Sequence, residues 1–154
     1  MEPGQLLKVA HIGTMFMAVG VAVGTEVMAH RVANTGDAGA IRTYFAQAGR
    51  VITLVPVLYV SGLAFGIGAG LLGAFNMFAP WLLLAYALFF LTFLLHRFIG
   101  APWFDRMTRL SAMDGGVSPE LEAAIHDRAA GWLFWYTIAM IIGFVFIMVV
   151  KPLS

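Results

Sequence analysis

Histidine and carboxylate side chains within or beside the long apolar runs of this chain are its best candidates for chemistry. His11 lies near one end of the first run, and Glu26 and His30 lie near its other end. Because residues four apart share one face of a helix, Glu26 and His30 are predicted to be neighbours. Neutral imidazole is a common axial ligand of haem iron in helical bundles. The chain has no cysteine, which excludes disulfides, thiolate metal sites and cysteine nucleophiles.

The spacing of these residues predicts two separate polar clusters. A helical rise of about 1.5 Å per residue places His11 roughly 22 Å from Glu26, so that no single metal ion can engage both. The outer cluster contains Lys8, His11 and Lys151, and the inner cluster contains Glu26, His30, His96, Arg97 and His126.

Each cluster has a structural and a chemical interpretation. For His11, the structural one is a histidine bonded to a backbone carbonyl or a nearby hydroxyl, and the alternative is a haem or metal ligand. For the inner cluster, the structural one is an ion pair of Glu26 with Arg97 or Arg31, because an unpaired charge inside a membrane is costly. The alternative there is a metal or haem site. The sequence pattern alone favours the structural interpretation in both places.

The composition predicts that a membrane surrounds these residues. Of 154 residues, 61% are hydrophobic and 11% are charged, whereas soluble domains carry about 25% charged residues. A helix needs about 20 mostly apolar residues to cross a bilayer, and continuous apolar runs without alternation exclude a β-barrel. We therefore predict an all-α, four-helix transmembrane bundle with up-down-up-down topology, as a single integral membrane domain over residues 1–154. The spans are expected at about 6–29, 51–74, 78–95 and 132–150.

The first and third loops are predicted to carry short interfacial helices. One candidate runs from about Ile41 to Ala48, and the amphipathic stretch from Trp103 to Leu110 is another. Ser118-Pro119-Glu120 combines a hydroxyl cap, a proline at the first helical position and an acid in the first turn, and predicts a further helix start.

The distribution of basic residues predicts the orientation in the membrane. Arginine and lysine are enriched in cytoplasmic loops, and the opposite side carries only Lys8 and Lys151. We expect a multi-pass protein of the inner (cytoplasmic) membrane with both termini outside the cytoplasm. The net charge of +1, spread over scattered bases, excludes nucleic acid as a partner. The first and third loops hold seven arginines: Arg31, Arg42, Arg50, Arg97, Arg106, Arg109 and Arg128.

Glycines recur every four residues in two spans. Span two contains Gly62, Gly66 and Gly70, and span one contains Gly20 and Gly24. Such stripes let helix backbones approach closely, so the favoured interpretation is packing within the bundle or between copies of a homo-oligomer. The alternative is a flat porphyrin or quinone lying against a smooth glycine face.

Several of these features resemble the HemJ-type membrane proteins and the allied CopD-like copper-resistance proteins. The resemblance extends weakly over the whole chain. It rests on the opening Leu7-Lys8-Val9-Ala10-His11, on Gly20 and the inner-end His30 in the same span, on Trp81 and His96 in span three, and on the ending Ile147-Met-Val-Val-Lys151-Pro152-Leu153.

The resemblance implies a cofactor and an activity. HemJ-type proteins are haem-binding protoporphyrinogen oxidases in which the histidine of a Lys-x-x-His motif is the axial ligand, and this role falls on His11. Lys8, Gly20, His30 and His96 are the further candidate cofactor-binding residues. Two family motifs of the oxidase are missing: the lysine of span three has no counterpart near Ala85 and Tyr86, and Trp132-Leu-Phe-Trp135 replaces Asn-Glu-x-Pro in span four.

Together these observations predict a membrane protein that holds a b-type haem for redox chemistry, with His11 on the haem iron. Its partners would be the lipid bilayer and a second copy or a larger membrane complex. The alternative is a non-catalytic accessory or assembly subunit, or a homo-oligomer, without a cofactor. A transporter or channel fits least, because the centres of all four spans are apolar.

Overall fold

A computed structural model describes residues 2–73, 76–113 and 116–152, and the regular elements in these ranges are all helices. They are α1 (Pro3–Ala33), α2 (Ala38–Ile52), α3 (Leu54–Leu72), α4 (Pro80–Leu95), a π-helical segment (His96–Gly100), α5 (Ala101–Ser111), α6 (Pro119–Ile125) and α7 (Arg128–Val150).

Four helical stretches are long and apolar enough to cross a membrane, which confirms the predicted all-α, four-helix architecture. The stretches extend beyond the predicted spans, because α2 runs into α3 past Thr53 and α4 runs through the π-helical segment into α5. The predicted end of the second span at Ala74 lies outside the described residues. The four stretches are Pro3–Ala33, Ala38–Leu72, Pro80–Ser111 and Pro119–Val150.

The glycine stripe of α3 is the surface on which α1 packs. A Cβ atom built on Gly62 would lie 2.7 Å from Sδ of Met15, and one built on Gly66 would lie 2.8 Å from Nδ1 of His11. Neither position has room for a side chain, so the packing interpretation holds for α3. The α1 stripe differs, since a Cβ on Gly20 or Gly24 would meet no atom within 4 Å.

The helices at the loop end form a small apolar core, which we call the cap. Ile41 and Phe45 of α2, Met107 of α5 and Leu121 of α6 are all fully buried there. The Trp103 indole N–H donates to the Ala124 carbonyl at 2.9 Å, so the buried polar edge of this ring is satisfied. The cap thus buries its apolar side chains within the protein itself.

The spans, by contrast, present large apolar side chains outward. Phe16 is 81% exposed, and Trp135, Val149 and Phe98 are also largely exposed. Apolar surface of this extent is expected on helices that lie in lipid rather than water.

Two N-caps fix where the last helices begin. The Ser118 hydroxyl accepts from the Leu121 amide at 3.2 Å, as the Ser-Pro-Glu motif predicts. Asp127 accepts from the Ala129 amide at 2.9 Å and also pairs with Arg106. This pair ties α5 to the start of α7 and holds the cap onto the fourth span.

Candidate functional site

His11 is held between α1 and α3 through one of its ring nitrogens. Its Nδ1 lies 2.7 Å from the Gly62 carbonyl oxygen, and the ring lies against Gly66. A carbonyl can only accept a hydrogen bond, so Nδ1 carries the proton and donates it. In the neutral ring, Nε2 then carries the lone pair.

No residue in the described ranges makes a hydrogen bond to Nε2 of His11. Histidines that bind metals almost always donate their other ring N–H to a carbonyl, carboxylate or water, which fixes the tautomer and the ring orientation. The Gly62 carbonyl makes a contact of this kind with His11. The arrangement can therefore present one imidazole nitrogen to a metal.

The residues near His11 indicate which kind of metal, a bare ion or haem iron, this histidine could bind. Within residues 2–73, 76–113 and 116–152, no three histidine, cysteine, aspartate or glutamate residues group together as metal ligands. A bare metal ion needs such a group, whereas haem iron is already held in its macrocycle and needs only axial ligands from the protein. The donor set fits haem better than a bare ion.

Two further candidate cofactor-binding residues of α1, Lys8 and Gly20, lie in different places. Lys8 is exposed and lies one helical turn before His11. Gly20 lies nine residues after His11, which puts it on the opposite face of a helix with about 3.6 residues per turn. Gly20 is exposed on that face, so the structure does not bring it to the surface that His11 shares with α3.

A second polar site lies at the end of the spans nearest the cap, where α1, α4 and α7 meet at His96. Its Nδ1 lies 3.0 Å from the Thr92 carbonyl oxygen. Its Nε2 lies 3.2 Å from Oγ1 of Thr137 and 3.9 Å from Oε2 of Glu26. Both ring nitrogens of His96 thus face protein groups, unlike those of His11.

Two threonines complete this site through directed hydrogen bonds. Thr137 Oγ1 donates to the Leu133 carbonyl at 2.9 Å. Thr92 Oγ1 donates to the Leu88 carbonyl at 2.8 Å and lies 3.2 Å from the Tyr136 hydroxyl. A hydroxyl has a single proton, so a threonine that directs it at a carbonyl accepts from its second neighbour.

The predicted ion pair of Glu26 with Arg97 or Arg31 is wrong for the described residues, because Glu26 faces His96 instead. Arg97 follows His96 directly, and successive residues on a helix point about 100° apart. Turning His96 toward α1 therefore turns Arg97 outward, where it is exposed, as is Arg31.

The remaining histidines are separate from His96. His30 stacks on the Trp103 ring at a centroid distance of 5.0 Å and contacts the Phe134 ring at 5.1 Å, at the base of the cap. His126 is exposed, and its Nδ1 lies 3.0 Å from the Glu122 carbonyl of its own helix. His126 therefore does not join the inner site that the sequence assigned to it.

Sequence reasoning missed the threonines and Tyr136. Their signal was present as three hydroxyls inside otherwise apolar runs, but such residues often bond only to their own helix. Thr137 and Thr92 differ from such residues because each also contacts a polar side chain of another helical segment. Only the packing of α4 and the π-helical segment against α7 reveals these contacts.

Fold and site together define a multi-pass membrane protein with a partly buried histidine between helices at each end of the bundle. No protein-family model, curated protein or solved structure matches this chain.

Proposed function

We propose that this chain binds one b-type haem in the membrane, with Nε2 of His11 as an axial ligand. The observation that supports this most directly is the hydrogen bond from Nδ1 to the Gly62 carbonyl, because it leaves Nε2 as the nitrogen with the lone pair. The resemblance to HemJ-type and CopD-like proteins points to the same residue.

Three features of the chain would serve this role. The Gly62 carbonyl holds the imidazole in one tautomer, and Gly66 leaves space for the ring against α3. Lys8 adds a positive charge one turn away, which favours the carboxylate groups at the edge of a haem. A bound haem would supply one-electron redox chemistry, with a potential set by the axial ligand and by burial.

Electron transfer or haem binding fits this chain better than porphyrinogen oxidation. The family's lysine in span three has no counterpart here, and α7 carries Trp132-Leu-Phe-Trp135 where the oxidase motif is expected. The proposal therefore extends to the cofactor and not to the oxidase reaction.

We further propose that the protein lies in the inner (cytoplasmic) membrane with the cap in the cytoplasm and both termini outside. The seven arginines of the first and third loops support this orientation. A reporter that fluoresces only in the cytoplasm, fused after residue 154, should stay dark, and the same reporter inserted near Gly36 should fluoresce. The reverse pattern would contradict the orientation.

A cofactor-free accessory or homo-oligomeric subunit is the second candidate. It is favoured by the fact that the Gly62 bond and the Gly66 contact already give His11 a packing role between α1 and α3. In that case His11 would hold the helices together and bind nothing.

The ultraviolet-visible spectrum of detergent-purified protein separates the two candidates. In His11→Asn, the side-chain nitrogen of asparagine takes the place of Nδ1 and keeps a donor for the Gly62 carbonyl, while Nε2 is removed. We expect a haem spectrum in the wild type and its loss in His11→Asn.

His126→Asn is the matched control, because it removes an exposed histidine and should leave the spectrum unchanged. Circular dichroism should show equal helix content in all three proteins. A wild type that stays colourless after haem supplementation would reject the haem proposal and leave the packing role.

A further inference from the structure

The groups around His96 are all hydrogen-bond acceptors. The Thr92 carbonyl faces Nδ1, and Thr137 Oγ1 and the Glu26 carboxylate face Nε2. Thr137 Oγ1 donates its hydrogen bond to the Leu133 carbonyl, and an ionised carboxylate has no proton to donate. With the Thr137 proton directed at Leu133, each ring nitrogen of His96 faces a hydrogen-bond acceptor.

This arrangement matches an imidazole that carries two protons. A neutral ring has one protonated nitrogen, and the Thr92 carbonyl claims it for Nδ1. The neutral ring would then turn the lone pair of Nε2 toward two further acceptors, which is unfavourable. A second proton on Nε2 removes that conflict, and its positive charge offsets the negative charge of Glu26.

We propose that Glu26 and His96 form a proton-binding site at the inner end of the bundle, exchanging one proton with the side of the membrane that carries the cap. In the ion-pair form, Nε2 holds the proton and Glu26 is a carboxylate. In the neutral form, the N–H bond of Nε2 is broken, an O–H bond forms on Glu26, and the net charge of the pair is still zero. Release of the proton leaves the pair with one negative charge.

The distance between the two partners is that of an ion pair and not of a direct hydrogen bond. Nε2 and Oε2 are 3.9 Å apart, beyond the range of a direct hydrogen bond, which ends near 3.2 Å. Thr137 Oγ1, 3.2 Å from Nε2, can accept a hydrogen bond from the protonated ring in the meantime. A change in the Glu26 rotamer would close the remaining gap.

The titratable neighbours indicate the direction of exchange. His30 follows Glu26 by four residues, so the two residues lie on the same face of α1. Its ring stacks on Trp103 at the base of the cap. On α3, Tyr59 lies within electrostatic range of Glu26. Of these groups, His30 is the one on the side of the loops, and for this reason we assign the exchange to that side of the membrane.

Nitrogen-15 NMR of histidine-labelled protein in lipid nanodiscs tests this site, because protonated and unprotonated ring nitrogens have separate shifts. At about pH 7, we expect protons on both nitrogens of His96 in the wild type. In Glu26→Gln, whose amide has the shape of the carboxyl group but no charge, we expect a proton on Nδ1 alone. His96→Gln assigns the signals.

His126 is the internal control, since it is exposed and distant from Glu26, and its signals should be equal in wild type and Glu26→Gln. The His96 signals should also respond to the pH of the medium between about pH 5 and pH 9. The proposal is overturned by an unprotonated Nε2 in the wild type, by identical His96 signals in Glu26→Gln, or by signals that ignore the medium. Thr137→Val gives a second variant if Glu26→Gln does not fold, with a smaller change expected at Nε2. None of these outcomes depends on whether haem binds at His11.

Discussion

His11 and His96 make the same kind of hydrogen bond at Nδ1 but have different surroundings at Nε2. Both direct Nδ1 at a backbone carbonyl, but His11 uses Gly62 on a neighbouring helix and His96 uses Thr92 one turn earlier on its own chain segment. Nε2 of His11 is left without a hydrogen bond from the described residues, whereas Nε2 of His96 faces a hydroxyl and a carboxylate. The surroundings of the second nitrogen therefore decide whether a histidine in this bundle suits a metal or a proton.

The neighbouring helices create this difference. Against His11, α3 presents glycines, which supply a carbonyl and space but no side-chain acceptor. Against His96, α7 presents Thr137 and α1 presents Glu26. Histidine therefore has no side-chain acceptor beside the glycines of α3, but has both a hydroxyl and a carboxylate beside it where α7 and α1 are the neighbours.

The proposed difference between His11 and His96 would be contradicted most clearly if both histidines were needed for haem binding. We expect His96→Asn to keep the haem of the wild type, because both nitrogens of His96 face protein groups, and His11→Asn to lose it almost completely. Haem content per protein, measured by the pyridine haemochrome assay, tests this. Equal losses in the two variants would show that the histidines do not have separate roles.

The next largest effect concerns the glycine beside His11. In Gly66→Ala, the new Cβ would lie 2.8 Å from Nδ1, so the ring must move and its bond to Gly62 must lengthen or break. Overpacking of this kind lowers the free energy of unfolding by about 1–3 kcal/mol. Unfolding in sodium dodecyl sulfate, followed by tryptophan fluorescence, measures it.

Gly20→Ala is the matched control for this prediction, because its Cβ enters open space on the other face of α1. Its effect should stay within about 0.5 kcal/mol. If the two alanines destabilised the protein equally, the contact between His11 and Gly66 would not be the cause.

The smallest expected effect comes from replacing the threonines beside His96, and it tests which group each ring nitrogen contacts. Thr137→Val removes the acceptor at Nε2 with little change in shape and should cost about 0.6 kcal/mol, a typical value for a hydrogen bond between membrane helices. Thr92→Val leaves the backbone carbonyl that accepts from Nδ1. In the NMR experiment, the first variant should shift Nε2 and the second should leave Nδ1 unchanged. A shift of Nδ1 in Thr92→Val would contradict this.

The sequence was sufficient to predict the four spans, because apolar runs of that length have few other folded forms. It was less informative about their ends. The second span was predicted to begin near residue 51 and the third to end near residue 95, yet helical structure adjoins both limits. Pro102 is tolerated because it lies at the start of α5, just after the π-helical segment.

The partners of the polar residues were harder to predict from the sequence. Glu26 had Arg31 nearby in sequence and Arg97 on the same side, but its neighbour is His96, since the rotation of α4 about its axis decides which of two consecutive residues faces α1. Likewise, the glycine stripe of α3 is packed against side chains of α1, whereas a Cβ on the similar stripe of α1 would meet no atom within 4 Å. A single sequence does not specify these rotations.

The helical stretch from Ala38 to Leu72, which α2 and α3 form together, has a mechanical consequence. Its 35 residues span roughly 52 Å at about 1.5 Å per residue, well beyond a hydrocarbon thickness of about 30 Å. One end is anchored in the cap through Ile41 and Phe45, and the other carries Gly62 and Gly66 against His11. Thr53 is the one residue between α2 and α3, so a displacement of the cap would either bend the stretch at Thr53 or be transmitted along α3 to its contact with His11.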